Sequence, residues 1–220
     1  MDAAILHPAR VKICGLSTEH TLDAALALGV DWIGLVHFPR SPRHVDLVRA
    51  ACLSSRAKGR AERVILLVDP DDGLLAAAVE AMNPDLIQLH GRESPERVAA
   101  IRARTGRPVM KALGLAGPDD LAPLAAYAAV ADRILLDAKA PAGAALPGGN
   151  GRRFDWTILA DRDLPEGTML SGGLDATNVG EALARTRLGA VDVSSGVESA
   201  PGLKDPDRMA AFVAAARGTP

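Results

Sequence analysis

Polar and nucleophilic residues stand at the ends of short apolar runs in this chain. Cys14 closes "RVKIC" and precedes Gly15, and Asp137 closes "RILLD". Arg40 and Arg43 alternate with two prolines in "HFPRSPRHV", residues 37–45. Ser171-Gly172-Gly173 and Ser194-Ser195-Gly196 end the last two runs. A carboxyl ringed by Val and Leu is expected to have a raised pKa through desolvation, which suits a general acid. Glycine lets backbone approach an anion closely, and the amide N–H groups beside it can donate to phosphate oxygens. Each feature also has an ordinary reading. A free cysteine is usually an inert buried thiol, an aspartate at a strand end can cap a helix or pair with a surface cation, and Gly pairs make plain tight turns. What raises Cys14 above Cys52, which sits in a helical stretch, is its place at a strand end opened by Gly15.

The elements that position these residues follow from hydrophobic period. Residues 10–14, 31–38, 63–68, 85–89, 107–113, 132–137, 167–173 and 190–196 read as β-branched or apolar strands. Helical stretches lie at 21–29, from about Asp46, and at 73–82, 94–105, 118–129, 176–186 and 205–218. Strands alternating with helices imply parallel pairing and right-handed crossovers. Eight units without a composition break predict one (β/α)8 TIM barrel over residues 1–220, with a doubly wound open sheet as the rival. Barrels carry their active sites at the C-terminal ends of the strands and often a phosphate site after strands seven and eight. Cys14, Asp137 and the two glycine turns all fall at that end. Lys12 and Asp192 lie on adjoining strands of a closed barrel, so a buried structural pair between them is expected. The Gly-, Pro- and Ala-rich segment 138–153 reads equally as a lid or a surface insertion.

Composition narrows the class. The 220 residues are 48% hydrophobic, 24% charged and 3% aromatic, with formal net charge −2. That balance disfavours an electrostatic nucleic-acid binder and a disordered chain. No apolar run is long enough to cross a bilayer, and "MDAAILHPAR" lacks the pattern of a secretory signal. Two cysteines make neither a disulfide framework nor a zinc pattern, so a cytoplasmic protein with free thiols is expected.

Taken together, "KICG", "FPRSPRHV", "QLHG", "LLDAK", "GGNGRRFDW", "LSGGL" followed by "NV", and "VDVSSGVES" followed by "PG" and "KD" resemble phosphoribosylanthranilate isomerase. The motifs run in that family's order from about Val11 to the last helix. Where the family usually has an aromatic residue and a lysine, this chain has His37 and Arg40. The resemblance implies an aldose–ketose isomerase of tryptophan biosynthesis acting on N-(5-phosphoribosyl)anthranilate. It makes Cys14 the general base and Asp137 the general acid. It makes Arg43 the anchor for the substrate carboxylate, and Gly172, Gly173, Ser195 and Gly196 the phosphate grip. A base role implies that the Cys14 thiol has a lowered pKa or is ionised on substrate binding. The rearrangement moves no electrons off the substrate, so no cofactor and no metal are expected. The only partner implied is the small-molecule substrate, with no nucleic acid or membrane, and the state a monomer or homodimer. The sister sugar isomerase of histidine biosynthesis is the nearest alternative, but that family places a carboxylate at Cys14 and repeats its phosphate turns in both halves. A non-catalytic sugar-phosphate-binding barrel is the other.

Overall fold

The computed structural model describes residues 8–140, 143, 146, 148, 149, 151, 153–160 and 162–218. The motif residues Asn150 and Arg152 lie outside them. Eight parallel strands close into a barrel in sequential order. They are β1 (Arg10–Cys14), β2 (Trp32–Val36), β3 (Glu62–Leu67), β4 (Leu86–Leu89), β5 (Val109–Leu115), β6 (Arg133–Ala138), β7 (Met169–Leu170) and β8 (Ala190–Val193). Strand pairs β1–β2 and β1–β8 complete the closure. Around it lie α1 (Glu19–Ala27), α2 (Leu47–Ala57), α3 (Asp72–Met82), α4 (Pro95–Thr105), α5 (Leu124–Ala128), α6 (Val179–Thr186) and α7 (Pro206–Arg217). Among the described residues no helix is long and apolar enough to cross a membrane.

Strand alternation sorts each strand into two faces. Val11, Ile13, Ile33, Leu35, Ile65 and Leu67 join the core between barrel and helices. Trp32, Val64, Leu86, Met110, Leu135 and Met169 plug the barrel interior. Cys14, Val36 and Leu66 form a smaller apolar group towards the strand ends. Helix starts follow capping chemistry: Thr18, Asp46, Asp71, Ser94 and Asp205 each accept a first-turn N–H with the side chain. Asn83, Gly106 and Gly218 end α3, α4 and α7 in the left-handed conformation.

One expectation is corrected, and two connections depart from the plain strand–helix alternation. The stretch 118–129 is not one helix but a 3₁₀ turn at Pro118–Leu121 followed by α5. Pro123 lies between them, lacks an N–H and would crowd the carbonyl of residue 119 in a continuous helix. After β6 the described residues hold only a 3₁₀ turn, Trp156–Leu159, in place of a barrel helix. Its Trp156 and Leu159 are buried and supply the apolar cover a helix would give. After β8 an antiparallel hairpin, β9 (Glu198–Ala200) with β10 (Leu203–Lys204), precedes α7.

At the N-terminal end of the barrel one device recurs. Asp31, Asp85 and Asp132 stand immediately before β2, β4 and β6. Each accepts a backbone N–H from the preceding strand, from Val11, Arg63 and Val109, at 2.9 Å. Each also pairs with a guanidinium, of Arg10, Arg63 and Arg102 respectively.

Candidate active site

β1 delivers Cys14 to the C-terminal mouth of the barrel, where it is buried. Its register partner on β2 is Gly34. A Cβ on Gly34 would lie 2.9 Å from the Cys14 Sγ, so this glycine leaves the volume that the thiol occupies. Gly15 has φ +80°, and a Cβ there would meet the Arg43 Cδ at 2.6 Å. The glycine after the cysteine therefore lets Arg43 cross the end of β1.

Beneath the thiol, the expected buried pair is formed: Lys12 Nζ lies 2.8 Å from Asp192 Oδ1. Ser171 Oγ donates to the other Asp192 oxygen at 3.1 Å. Burial alone would lower the Lys12 pKa, but the charge and hydrogen bond of Asp192, with the Cys14 sulfur beside it, outweigh burial and hold the ammonium above its ordinary value. The Cys14 thiol is shifted the other way from the sequence expectation. Burial pushes its pKa up, Lys12 and Lys204 pull it down, Asp192 opposes them, and the net shift is upward. The direction is that of a group that burial keeps as a neutral thiol, with Lys12 and Lys204 opposing it.

Asp137 is the inward residue near the end of β6 and is buried. Its Oδ1 accepts the Ala138 N–H at 2.8 Å, and its Oδ2 lies 3.2 Å from His90 Nε2. His90 Nδ1 in turn faces Gln88 Nε2 at 3.1 Å, while Gln88 Oε1 is buried with no hydrogen-bond partner among the described residues. Two self-consistent patterns follow from rotating one amide. With the Gln88 amide donating to Nδ1, His90 donates from Nε2 to a carboxylate. With Oε1 turned to accept from Nδ1–H, Nε2 accepts from a protonated Asp137. The trio can thus hold Asp137 in either state. Gly148 covers it: a Cβ there would fall 2.5 Å from His90 Nε2 and 2.7 Å from Asp137 Oδ2.

Cys14, Arg43, Asp137, Gly172, Gly173 and Ser195 line one cleft. Val36, Phe38, Leu66 and Val68 give it an apolar wall on the β2–β3 side, and Arg43 lines it as well. On the β7–β8 side lie the glycine turns. Gly172 has φ +90°, and a Cβ there would strike the Ala138 N at 2.5 Å; Gly173 has φ +63°. Only glycine takes those conformations without strain. Gly196 is not among the cleft-lining residues. It lies in a 3₁₀ turn packed on the preceding loop, and a Cβ there would sit 1.9 Å from the Leu174 carbonyl oxygen. Of segment 138–153, Ala138, Leu146, Gly148, Gly149 and Gly151 line the cleft. His37 and Arg40, the departures from the family pattern, do not line it; Arg40 is exposed and His37 Nδ1 faces the Val45 carbonyl at 2.9 Å.

Sequence reasoning gave no role to Gly34, Gln88, His90, Glu198 or Lys204. Gln88 and His90 were visible as "QLHG" at a strand end, and a glycine within strand "WIGLV" signals close approach of another group. Glu198 and Lys204 were visible within "VDVSSGVES" and "KD", but nothing there pairs them with Arg43. Glu198 receives the Arg43 fork, Nε at 2.7 Å and Nη2 at 2.8 Å.

Comparison with known proteins agrees with this geometry. The family model described as N-(5'phosphoribosyl)anthranilate (PRA) isomerase matches residues 11–215. The N-(5'-phosphoribosyl)anthranilate isomerase of Azorhizobium caulinodans is 67% identical over 94% of this chain and 91% of its own length. The crystal structure of phosphoribosyl anthranilate isomerase from Thermotoga maritima superposes with a TM-score of 0.86 at 33% identity, covering 96% of this chain and 99% of that one. Another isomerase structure, in complex with reduced 1-(o-carboxyphenylamino)-1-deoxyribulose 5-phosphate, gives a TM-score of 0.80 at 30% identity with the same coverage. With a family match spanning nearly the whole barrel and the motif residues gathered in one cleft, the chain belongs to the N-(5'-phosphoribosyl)anthranilate isomerase family.

Proposed function

We propose that this cleft converts N-(5-phosphoribosyl)anthranilate to 1-(2-carboxyphenylamino)-1-deoxy-D-ribulose 5-phosphate, a step of tryptophan biosynthesis, with Cys14 as general base and Asp137 as general acid. The observation that carries the reading is the polarity of the cleft. An apolar wall with Arg43 suits an aromatic carboxylate, the glycine turns after β7 and β8 suit a phosphate, and a thiol and a carboxyl line the same cavity. Gly172, Gly173 and Ser195 receive the phosphate through backbone and hydroxyl donors, and Gly196 keeps the Ser195 turn close to its neighbour.

The reaction proceeds with every electron pair accounted for. Asp137 gives its proton to the ring oxygen; the C1–O bond breaks towards that oxygen, and the nitrogen lone pair closes a C1=N iminium. The Cys14 thiol gives its own proton to solvent on substrate binding and then, as the thiolate, takes the C2 proton; a solvent proton restores Asp137 at the end of the cycle. The C2–H pair forms the C1=C2 bond, and the iminium pair returns to nitrogen. The enolamine then loses its hydroxyl proton and gains one at C1, which leaves the C2 ketone. The substrate is neither oxidised nor reduced overall.

The thiolate must form in a buried place. Lys12 and Lys204 both favour it, and Asp192 keeps Lys12 charged beneath it. The protein therefore holds the cations for a thiolate before substrate arrives, in the manner of a preorganised site. The test is turnover of phosphoribosylanthranilate by the purified protein, followed by the loss of substrate fluorescence. Multiple-turnover consumption is expected. Binding without consumption would leave a sugar-phosphate-binding barrel instead.

A further inference from the structure

A guanidinium has two edges that can grip a carboxylate, Nε with Nη2 and Nη1 with Nη2. In Arg43 the first edge is taken by Glu198. The contact at the second edge is a long one, from Nη2 to the Gly149 carbonyl at 3.4 Å. A Cβ on Gly149 would lie 2.7 Å from Nη1, so glycine is what lets this loop pass the second edge without a side chain against it.

Glu198 is itself held from behind. Lys204 Nζ donates to its Oε1 at 2.5 Å, and the Gly202 N–H donates to its Oε2 at 3.2 Å. Gly202 has φ +84°, and a Cβ there would meet the Pro42 carbonyl oxygen at 2.5 Å. The β9–β10 hairpin is therefore pressed against the turn that carries Arg43. Lys204 also donates to the Ser194 carbonyl and hydroxyl at 3.1 and 3.2 Å, and Ser194 Oγ donates to the Cys14 carbonyl at 3.0 Å. Arg43, Glu198 and Lys204 are all buried.

Charge makes sense of the third member. Arg43 and Glu198 alone would form a closed, neutral pair and attract an incoming carboxylate weakly. Burial lowers the Lys204 pKa from its ordinary value and the Glu198 carboxylate beside it opposes that shift; with its ammonium so paired, Lys204 adds a second cation against the one carboxylate, and the cluster carries one net positive charge. Burial of these groups is costly unless each is paired and hydrogen-bonded, and the triad meets that condition. The hydrogen bond from Arg43 and the charge of Lys204 overcome the desolvation of Glu198 and keep its carboxyl below the ordinary range.

We propose that Glu198 and Lys204 are positioning residues for the aromatic carboxylate. Glu198 fixes Arg43 by its Nε/Nη2 edge so that the Nη1/Nη2 edge meets the ligand, and Lys204 cancels the Glu198 charge so that the ligand still meets a cation. This rests on the reading of Arg43 as the carboxylate anchor.

The test uses two ligands, a reduced product analogue and its aniline counterpart without the ring carboxylate, with binding and steady-state kinetics measured on each variant. Lys204→Met leaves the Arg43–Glu198 pair neutral and is expected to weaken the carboxylate ligand about tenfold, against less than about twofold for the aniline one. Glu198→Gln added to Lys204→Met returns the cluster to one net positive charge while its amide oxygen can still accept one bond from Arg43, and is expected to regain part of that loss. A purely structural role would make the double variant worse. Glu198→Asp keeps the charge but shortens the reach, and is expected to raise KM about tenfold with kcat within about threefold. Arg43→Ala separates the two levels of the argument. If it costs both ligands equally, the anchor reading fails. If its cost depends on the carboxylate while that of Lys204→Met does not, or if the double variant shows no recovery, the anchor stands and this proposal is overturned.

Discussion

At the N-terminal end of the barrel Asp31, Asp85 and Asp132 each hold the backbone of the preceding strand and a guanidinium. At the C-terminal end Asp137 also accepts a backbone N–H, but its side-chain partner is an imidazole and it lines the cleft. Both kinds of aspartate stand at a strand boundary, and both are hydrogen-bonded. The partner decides what each can do. A guanidinium keeps a carboxylate ionised, which serves structure and forbids proton transfer near neutrality. The hydrogen bond from Arg63 holds Asp85 below the usual carboxylate range, and Arg102 does the same for Asp132 against its burial. An imidazole can donate or accept at the nitrogen that faces the carboxyl, so it suits the group proposed here to give up a proton.

The largest effect that sharpens this contrast is expected from Asp137→Asn. It removes the proposed proton donor and should lower kcat by a factor on the order of 10²–10⁴. Unfolding temperature should move little. A variant that keeps its turnover would show that the carboxyl is not the acid.

Asp85→Ala should behave in reverse. It leaves the Arg63 backbone N–H and guanidinium without their partner, at a cost of about 1–3 kcal/mol in chemical unfolding. Turnover per folded molecule should be unchanged. A loss of kcat with stability intact would dissolve the distinction between the two ends.

A smaller effect separates the ends by pH. Asp85 has a folded pKa below its ordinary 3.8, so its stabilisation is present above that value and lost as pH falls through the folded pKa. Cys14 has a folded pKa above its ordinary 9.0, so its contribution is present below that value and lost as pH rises towards the folded pKa. The stability gap between wild type and Asp85→Ala should therefore shrink in acid. The gap between wild type and Cys14→Ala should shift against wild type only in alkali. Identical pH profiles for the two gaps would contradict both assignments.

Much of this architecture was legible because periodicity and capping are local. "RVKIC", "RVILLV" and "DRILLD" carry strand signals in their own composition, and Asp46, Ser94 and Asp205 cap the helices they precede. The Lys12–Asp192 pair was legible once closure was assumed, because alternation puts both on the inner face of adjoining strands. Barrel geometry likewise gathers Cys14, Asp137, Gly172 and Gly173, which are far apart in sequence, at one mouth. Long-range partners were not legible. Arg43 could be read as an anchor by resemblance, but not that Glu198, 155 residues away, takes one edge of it. Nor could the direction of the Cys14 shift be read, since it depends on how burial balances two lysines and an aspartate. Pro123 was in plain view within the stretch 118–129 and should have divided that helix.

The most direct test of the account is Cys14→Ser, with Cys52→Ser as the control on the exposed surface of α2. Turnover and binding of the reduced product analogue would be measured on the same preparations. A serine hydroxyl fills the space left by Gly34 but does not ionise near neutrality. Cys14→Ser is expected to lower kcat on the order of 10²–10⁴-fold with affinity and unfolding temperature nearly preserved, while Cys52→Ser stays close to wild type in all three. A Cys14→Ser enzyme with near wild-type kcat would contradict the account, because the C2 proton would then be leaving by way of some other group.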